Sequence, residues 1–171
     1  FYEKERTIMT TLATPVDTEV LDNTLMNSDI PVIAEGFTDL NLSNNLLKAL
    51  ADMGFVNPSA IQKEAIPQVM AGNDIIAKAP TGSGKTAAFA IPIIEKIDMN
   101  PENKSIQALV LSPTRELAIQ VHKEFEKMTK YIENISTVSI YGGQNIETQF
   151  NALKRNPQIV VATPGRLMDH L

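Results

Sequence analysis

The sequence predicts an α/β fold in which a mostly parallel β-sheet lies between helices on both faces. Short apolar segments of strand length alternate with longer segments of helical periodicity from residue 37 onward. This alternation is typical of parallel sheets, because two parallel strands need a long crossover that usually contains a helix. Polar clusters also follow directly after apolar segments, where a parallel sheet carries its ligand sites.

The composition is that of an ordinary globular domain. The 171 residues suffice for one domain, and 43% of them are hydrophobic while 20% are charged. No apolar run is long enough to cross a bilayer, and no secretory signal is expected. The absence of cysteine excludes disulfides, zinc-thiolate sites and cysteine nucleophiles. We expect a cytoplasmic protein that does not associate with membranes.

The net charge of −5 resides in residues 1–36, which hold seven acidic and two basic residues. This stretch has one glycine and no sustained periodicity. It is therefore predicted to be a flexible acidic extension, with a partner-docking segment as the alternative. Residues 37–171 form the predicted folded body and hold thirteen acidic and thirteen basic residues. That balance argues against a large non-specific nucleic-acid footprint.

The first half of the body predicts two helices, a strand and a third helix. Leucine spacing predicts a helix that ends at Gly54, and a second helix is expected over about residues 59–70. Residues 73–79, NDIIAKA, predict a short buried strand. Residues 85–97 predict a helix that is apolar nearly all round, which indicates burial.

The second half alternates strand and helix. Residues 107–112 predict another buried strand, and residues 114–130 predict an amphipathic helix with Leu117 on its apolar side. On the other side, Glu126 and Lys130 are spaced to pair. The remaining predicted elements are a strand at 137–141, a helix at 145–155 and a strand at 158–162.

The strongest motif is Ala79–Thr86, APTGSGKT, between a predicted strand and a predicted helix. A phosphate-binding loop requires that context. Its glycines would let the backbone turn tightly, Lys85 would reach the β- and γ-phosphates, and the Thr86 hydroxyl would coordinate Mg²⁺. The general motif has glycine where this chain has Ala79. A plain Gly/Ser turn is the alternative, but the Lys-Thr pair in register favours phosphate binding.

A second candidate site is Gly54–Gln62, GFVNPSAIQ, preceded by Phe37. The Gln62 amide offers a donor beside an acceptor, which matches the N6/N7 edge of adenine, and Phe37 would stack on the base. However, Ser59 and Gln62 also fit a capping box at the start of a helix. A lone phenylalanine is also more often part of the core. From these residues alone, the structural interpretation is the stronger one.

Three more clusters follow predicted strands: Pro113–Ala118 (PTRELA), Gly142–Gly143 and Thr163–Arg166 (TPGR). In the first and the last, a threonine near a helix start precedes an arginine. A helix N-terminus with a hydroxyl and a guanidinium suits phosphate, and paired glycines allow a backbone to approach closely. Taken singly, each cluster is better explained as a helix cap, a solvated arginine or a turn.

Taken together and in this order, the clusters resemble the DEAD-box RNA helicases over roughly residues 37–171. Ala79 is what that family usually has at its position, so the departure from the general loop motif supports the resemblance. Phe37 resembles the family's upstream aromatic residue, and Gly54–Gln62 resembles its Q motif. Ala79–Thr86 resembles motif I, and Pro113–Ala118 resembles motif Ia. Gly142–Gly143 resembles the GG motif, and Thr163–Arg166 resembles motif Ib.

The resemblance implies a RecA-like P-loop lobe, a three-layer α/β/α fold that binds ATP with Mg²⁺. It also implies binding of single-stranded RNA or duplex ends through the sugar-phosphate backbone. The implied adenine contacts are Phe37 and Gln62. Phosphate contacts are implied for Ala79, Pro80, Thr81, Gly82, Ser83, Gly84 and Lys85, and Mg²⁺ coordination for Thr86. RNA contacts are implied for Pro113, Thr114, Arg115, Gly142, Gly143, Thr163, Pro164, Gly165 and Arg166.

The same resemblance implies parts that this sequence does not contain. It has no Asp-Glu dipeptide, so the Asp-Glu-Ala-Asp and Ser-Ala-Thr motifs and the second RecA-like lobe are missing. We therefore expect the front part of the first lobe of an RNA-stimulated ATPase, with a sheet incomplete at its C-terminal end. It would keep the catalytic groups Lys85 and Thr86 but not hydrolyse ATP alone. A P-loop ATPase that ignores RNA and an inactive binding module are the alternatives.

Overall fold

The computed structural model describes residues 33–171, so the predicted acidic extension lies outside the described residues except for its last four positions. The described part begins with a short 3-10 helix at Glu35–Leu40. From the first strand onward, strand and helix alternate as predicted. The elements are α1 (Asn44–Asp52), α2 (Ala60–Met70), α3 (Lys85–Lys96), β1 (Ala108–Leu111), α4 (Arg115–Met128), β2 (Thr137–Ile140), α5 (Ile146–Leu153), β3 (Ile159–Ala162) and α6 (Pro164–His170).

The three strands form one parallel sheet in the order β1-β3-β2. In this register, Ala162 at the end of β3 lies opposite Leu111 of β1 and Ile140 of β2. All three strands therefore end at the same edge of the sheet. The polar clusters of the sequence directly follow these strand ends.

Helices cover both faces of the sheet, which confirms the predicted layers. Successive side chains of a strand point to opposite faces, and β3 is buried along its whole length. Ile159 and Val161 pack into the larger core with Ile91 of α3 and Phe125 of α4. On the other face, Val160 and Ala162 pack against Leu153 of α5 and Leu167 of α6. Within residues 33–171, no helix combines the length and apolar character that a membrane span requires.

The predicted strand at residues 73–79 is wrong. This segment has no regular structure, and the Ile76 side chain is fully exposed. A strand exists only by pairing, and no described strand pairs with this segment. Instead, Ile75 and Leu111 line a cavity of about 300 Å³ beside the unpaired edge of β1. The composition of the segment suits a strand, but its hydrogen bonds depend on a neighbour elsewhere in the chain.

Two burial predictions are wrong because β1 has no strand on one side among the described residues. Leu109 and Leu111 are about half exposed, so β1 alternates between intermediate and exposed positions and is not a buried strand. Leu117 of α4 lines the same cavity and is also exposed, although the amphipathic pattern predicts that it points inward. The other predicted elements are confirmed, with ends that shift by up to two residues.

The predicted pair between Glu126 and Lys130 is also wrong. The Lys130 ammonium lies 2.6 Å from the Asp52 carboxylate, at the end of α1, and the Tyr131 hydroxyl donates to the same oxygen at 2.6 Å. Glu126 instead faces His122 at 3.6 Å, and burial lowers the pKa of that imidazole. The contact with Asp52 joins the end of α4 to α1, which helical spacing alone does not predict.

We expect Asp52→Asn to lower the urea midpoint of unfolding slightly near pH 7. Hydrogen bonds from Lys130 and Tyr131 hold the pKa of Asp52 below its usual value. The carboxylate is solvent-exposed, so the effect is small. A lowered folded-state pKa stabilises the fold above the usual aspartate pKa, and this stabilisation is lost as the pH falls through the lowered value.

Urea titrations of the two proteins between pH 7 and pH 3 check this prediction, with Asp39→Asn as the control at an exposed position. The midpoint difference for Asp52→Asn should shrink steadily toward pH 3, while the control should track the wild type. A difference that stays constant with pH would contradict a role for the Asp52 charge.

Candidate functional site

The Ala79–Thr86 motif forms a loop that ends in the first turn of α3. The Lys85 ammonium donates to the carbonyl oxygens of Ala79 at 2.6 Å and of Pro80 at 2.7 Å. The loop therefore curls around the lysine, and a phosphate would have to replace these two carbonyl oxygens. The Ser83 hydroxyl is buried and makes no hydrogen bond with described residues, so it fits the role of a donor to such a phosphate.

Gln62 connects α2 to this loop. Its side chain is buried, and its Oε1 accepts a hydrogen bond from the Ser59 backbone N–H at 2.9 Å, as the capping interpretation requires. Its Nε2 donates to the Gly84 carbonyl at 3.1 Å, and the Ser59 hydroxyl donates to the Ser83 carbonyl at 2.8 Å. The structural role of Gln62 is therefore real. One N–H and one lone pair of its amide remain, so its recognition of adenine stays a prediction.

Gly84 has to be glycine in this arrangement. Its φ of +86° lies in the left-handed region, which side chains disfavour. In addition, a Cβ at this position would overlap the Gln62 amide nitrogen. The close approach of the loop to α2 therefore depends on the missing side chain.

Phe37 lies in the core of the described part of the chain. Its side chain is fully buried, and its ring packs edge-on against Phe55 with the centroids 5.9 Å apart. The ring has no free face on which a base could stack in this structure. Of the two interpretations of Phe37, the structure supports the core residue.

The three clusters that follow the strands line one open cleft of about 670 Å³. They meet there because all three strands end at the same edge of the parallel sheet. The cleft is polar and carries two arginines and two acidic residues. Its lining consists of Pro113, Thr114, Arg115, Glu116, Gly142, Thr163, Gly165, Arg166 and Asp169.

Arg115 lies directly against the paired glycines. The φ of Gly143 is +92°, and a Cβ on it would overlap the Arg115 guanidinium. The glycine pair therefore permits the close approach that the sequence predicts, and the group that approaches is an arginine. Thr114 caps α4, since its hydroxyl accepts from the Leu117 N–H at 3.2 Å. Its capping interpretation is confirmed, and its side chain stays exposed in the cleft.

Arg166 is anchored and is not a freely solvated arginine. Its Nη2 donates to the Gln144 carbonyl at 3.1 Å, and its Nε lies 3.7 Å from the Asp169 carboxylate. Its side chain is only 13% exposed. Thr163, by contrast, precedes α6 without a side-chain capping bond, so its hydroxyl is not used there. The guanidinium is thus held at the cleft by the loop that follows β2.

Sequence reasoning missed two side chains of this region. Asp169 lies three positions after Arg166 on α6, a spacing at which helical side chains meet, so the sequence did contain a signal. Gln149 is buried on α5 and bonds to the loop that contains Gly142 and Gly143. The sequence signal for Gln149 was weak: a polar residue at a position of the predicted helix that faces inward.

The protein-family model described as DEAD/DEAH box helicase matches residues 59–171. This chain belongs to that family. Its fold is that of the RecA-like domains of DEAD-box proteins. Among the described residues of this family member, no cluster of three or more acidic or histidine side chains could hold a metal ion.

Several known members are similar to this chain. The DEAD-box ATP-dependent RNA helicase CshA from Bacillus subtilis is 52% identical over 135 residues, which are 79% of this chain and 27% of CshA. A DEAD box protein from Methanococcus jannaschii is 49% identical, with a TM-score of 0.73 over 79% of this chain and 36% of its own. S. cerevisiae Dbp5 bound to RNA and ADP BeF3 is 34% identical, with a TM-score of 0.66 over 78% and 33%. This chain spans about a quarter to a third of these relatives.

Proposed function

We propose that this chain is the ATP- and RNA-binding part of the first lobe of an ATP-dependent RNA helicase, an RNA-stimulated ATPase that remodels short duplexes. The observation that supports this most is the position of the polar cleft. The phosphate-loop motif and the cleft belong to one folded unit, in which three separate clusters converge at one edge of the sheet. A second RecA-like lobe would close on this one in the complete protein.

The nucleotide side of the proposal relies on groups that the loop already presents. Lys85 would exchange the carbonyl oxygens of Ala79 and Pro80 for the β- and γ-phosphates, and the Ser83 hydroxyl would donate to a phosphate. Thr86 would coordinate Mg²⁺, which neutralises charge on the phosphates when bound. The free N–H and lone pair of Gln62 would pair with the adenine edge, which presents an acceptor and a donor.

The RNA side of the proposal relies on the cleft. Arg115 and Arg166 offer charged donors. The exposed Thr114 side chain and the Thr163 hydroxyl, which makes no capping hydrogen bond to α6, offer polar donors. All of these suit phosphate or sugar oxygens, and the described lining of the cleft has no aromatic ring on which bases could stack. Binding would therefore tolerate any base sequence. Glu116 and Asp169 offset the charge of the two guanidinium groups, so the described lining of the cleft has no net positive charge.

The alternatives differ from this proposal in their response to RNA. An RNA-independent P-loop ATPase would leave the polar cleft without a ligand, and an inactive binding module would bind RNA without turnover. The deciding experiment measures phosphate release by the complete protein with and without RNA. Strong stimulation of phosphate release by RNA supports the helicase, whereas equal rates of release with and without RNA favour the RNA-independent ATPase. A cytoplasmic location is also part of the proposal, and cell fractionation would test it.

We expect the 171-residue chain alone to release no phosphate from ATP, with or without RNA. Lys85 and Thr86 can bind phosphate and metal, but the cavity at Lys85 is otherwise lined mostly by apolar side chains, and none of its described lining residues is an acid. Orienting the water and stabilising the transition state carry most of phosphoryl-transfer catalysis. A malachite-green phosphate assay checks this, with Lys85→Ala as the control. Turnover that Lys85→Ala abolishes would contradict it.

A further inference from the structure

Gln149 is one of three polar side chains that are buried among the described residues. It lies in the middle of α5 and does not line the cleft. A buried amide is costly unless its hydrogen bonds are made, and here each part of the amide has a partner. The Nε2 donates to the Tyr141 carbonyl at 2.8 Å and to the Gln144 Oε1 at 3.2 Å. Both partners belong to the loop that contains Gly142 and Gly143.

The other end of the amide contacts α6. The Gln149 Oε1 lies 3.0 Å from the Nε2 of His170. An amide oxygen can only accept a hydrogen bond, so His170 donates here through the tautomer that carries its proton on Nε2. The His170 ring also packs edge-on against Phe150, with centroids 4.6 Å apart. Gln149 therefore ties the loop after β2 to the end of α6.

Both arginines of the cleft rest on the same loop. The Arg115 guanidinium packs against Gly142 and Gly143, and the Arg166 guanidinium donates to the Gln144 carbonyl. The side chain of Gln144 adds a further contact, since its Nε2 donates to the Tyr141 hydroxyl at 2.7 Å. The position of residues 141–144 therefore determines where the guanidinium groups of Arg115 and Arg166 lie.

We propose that Gln149 is a positioning residue for RNA binding. It fixes the loop of residues 141–144 from behind, and the loop in turn fixes Arg115 and Arg166 at the spacing that the RNA backbone meets. This inference rests on the proposed RNA-binding function of the cleft. It predicts that RNA affinity depends on a side chain that touches no RNA and takes no part in nucleotide binding.

The test uses the complete helicase and fluorescence anisotropy with a labelled single-stranded RNA. Gln149→Met keeps the length and bulk of the side chain but removes its hydrogen bonds. We expect it to weaken RNA binding about tenfold. Gln120→Met, at an exposed position of α4, is the matched control and should bind as the wild type does. The affinity for a fluorescent ATP analogue without RNA should stay unchanged in both variants.

A double-mutant cycle separates positioning from a general loss of stability. If Gln149 acts through Arg166, then Arg166→Ala should cost clearly less affinity in the Gln149→Met background than in the wild type. Additive effects would overturn the inference, and so would wild-type RNA binding by Gln149→Met or an equal loss of nucleotide affinity. If the wild-type helicase does not bind RNA at all, the proposed function fails and this inference fails with it.

Variants of His170 keep the proposal testable if Gln149→Met does not fold. His170→Gln retains a donor for the Gln149 oxygen, whereas His170→Leu removes it but keeps an apolar side chain against Phe150. We expect His170→Leu to weaken RNA binding about threefold and His170→Gln to restore most of the loss. Equal affinities of the two variants would overturn the role of this contact.

Discussion

Gly84→Ala is expected to weaken ATP binding by the complete protein about a hundredfold. The residue has a φ of +86°, and an alanine in the left-handed region costs roughly 1 kcal/mol. Its Cβ would also overlap the Gln62 nitrogen, so the Gln62 amide must move and leave buried hydrogen bonds unmade. That displacement costs about another 1–3 kcal/mol. The free loop of the variant would relax to escape both costs and would bear them again when it binds ATP, so at about 1.4 kcal/mol per tenfold the sum gives the expected factor.

Gly82→Ala separates the two contributions. Gly82 also has a positive φ, +78°, but nothing lies within 4 Å of a Cβ placed there. This variant should therefore carry only the backbone cost and weaken binding by about tenfold or less. Titration of both variants with a fluorescent ATP analogue gives the comparison. Equal losses would show that the contact between Gly84 and Gln62 contributes nothing to nucleotide binding.

The elements that depend on local pattern were predictable from the sequence. The periodicity of α4 and the fully apolar run of β3 come from the residues themselves, and both elements are confirmed. The segment 73–79 shows where this stops, because its composition suits a strand but the pairing depends on residues far away. The strand order β1-β3-β2 likewise depends on tertiary packing, and the alternation of elements does not specify it.

The site was likewise only partly predictable from the sequence. Each cluster follows a strand, and the strands of a parallel sheet end at one edge, so the convergence in the cleft has a cause that the sequence contains. The contacts inside the site between residues far apart in the chain have no such signal in the sequence. Arg166 bonds to a carbonyl 22 positions earlier. Outside the site, Lys130 likewise pairs with an aspartate 78 positions away and not with the glutamate at helical spacing. Phe37 shows that a plausible ligand contact can instead be required by the core.

If the cleft binds RNA as proposed, Arg166→Ala is expected to weaken binding of single-stranded RNA by the complete protein about tenfold at low salt. The guanidinium is largely buried but borders the cleft, where it would neutralise one phosphate. Each phosphate neutralised on a single strand contributes a slope of about −0.7 in log K against log salt. The variant should therefore lose one such unit, and the factor should be similar for unrelated sequences because the contact is to the backbone.

Arg155→Ala is the matched control for that experiment. It removes the same charge at an exposed position beyond α5, beside Ser136 and Gln158, which precede β2 and β3. Those residues lie at the opposite edge of the sheet from the cleft, so both the affinity and the slope should stay at wild-type values. Salt titrations of the three proteins on two unrelated RNAs decide the matter. Equal slopes for all three would remove Arg166 from the RNA path, and a loss confined to one RNA would reveal contacts to bases.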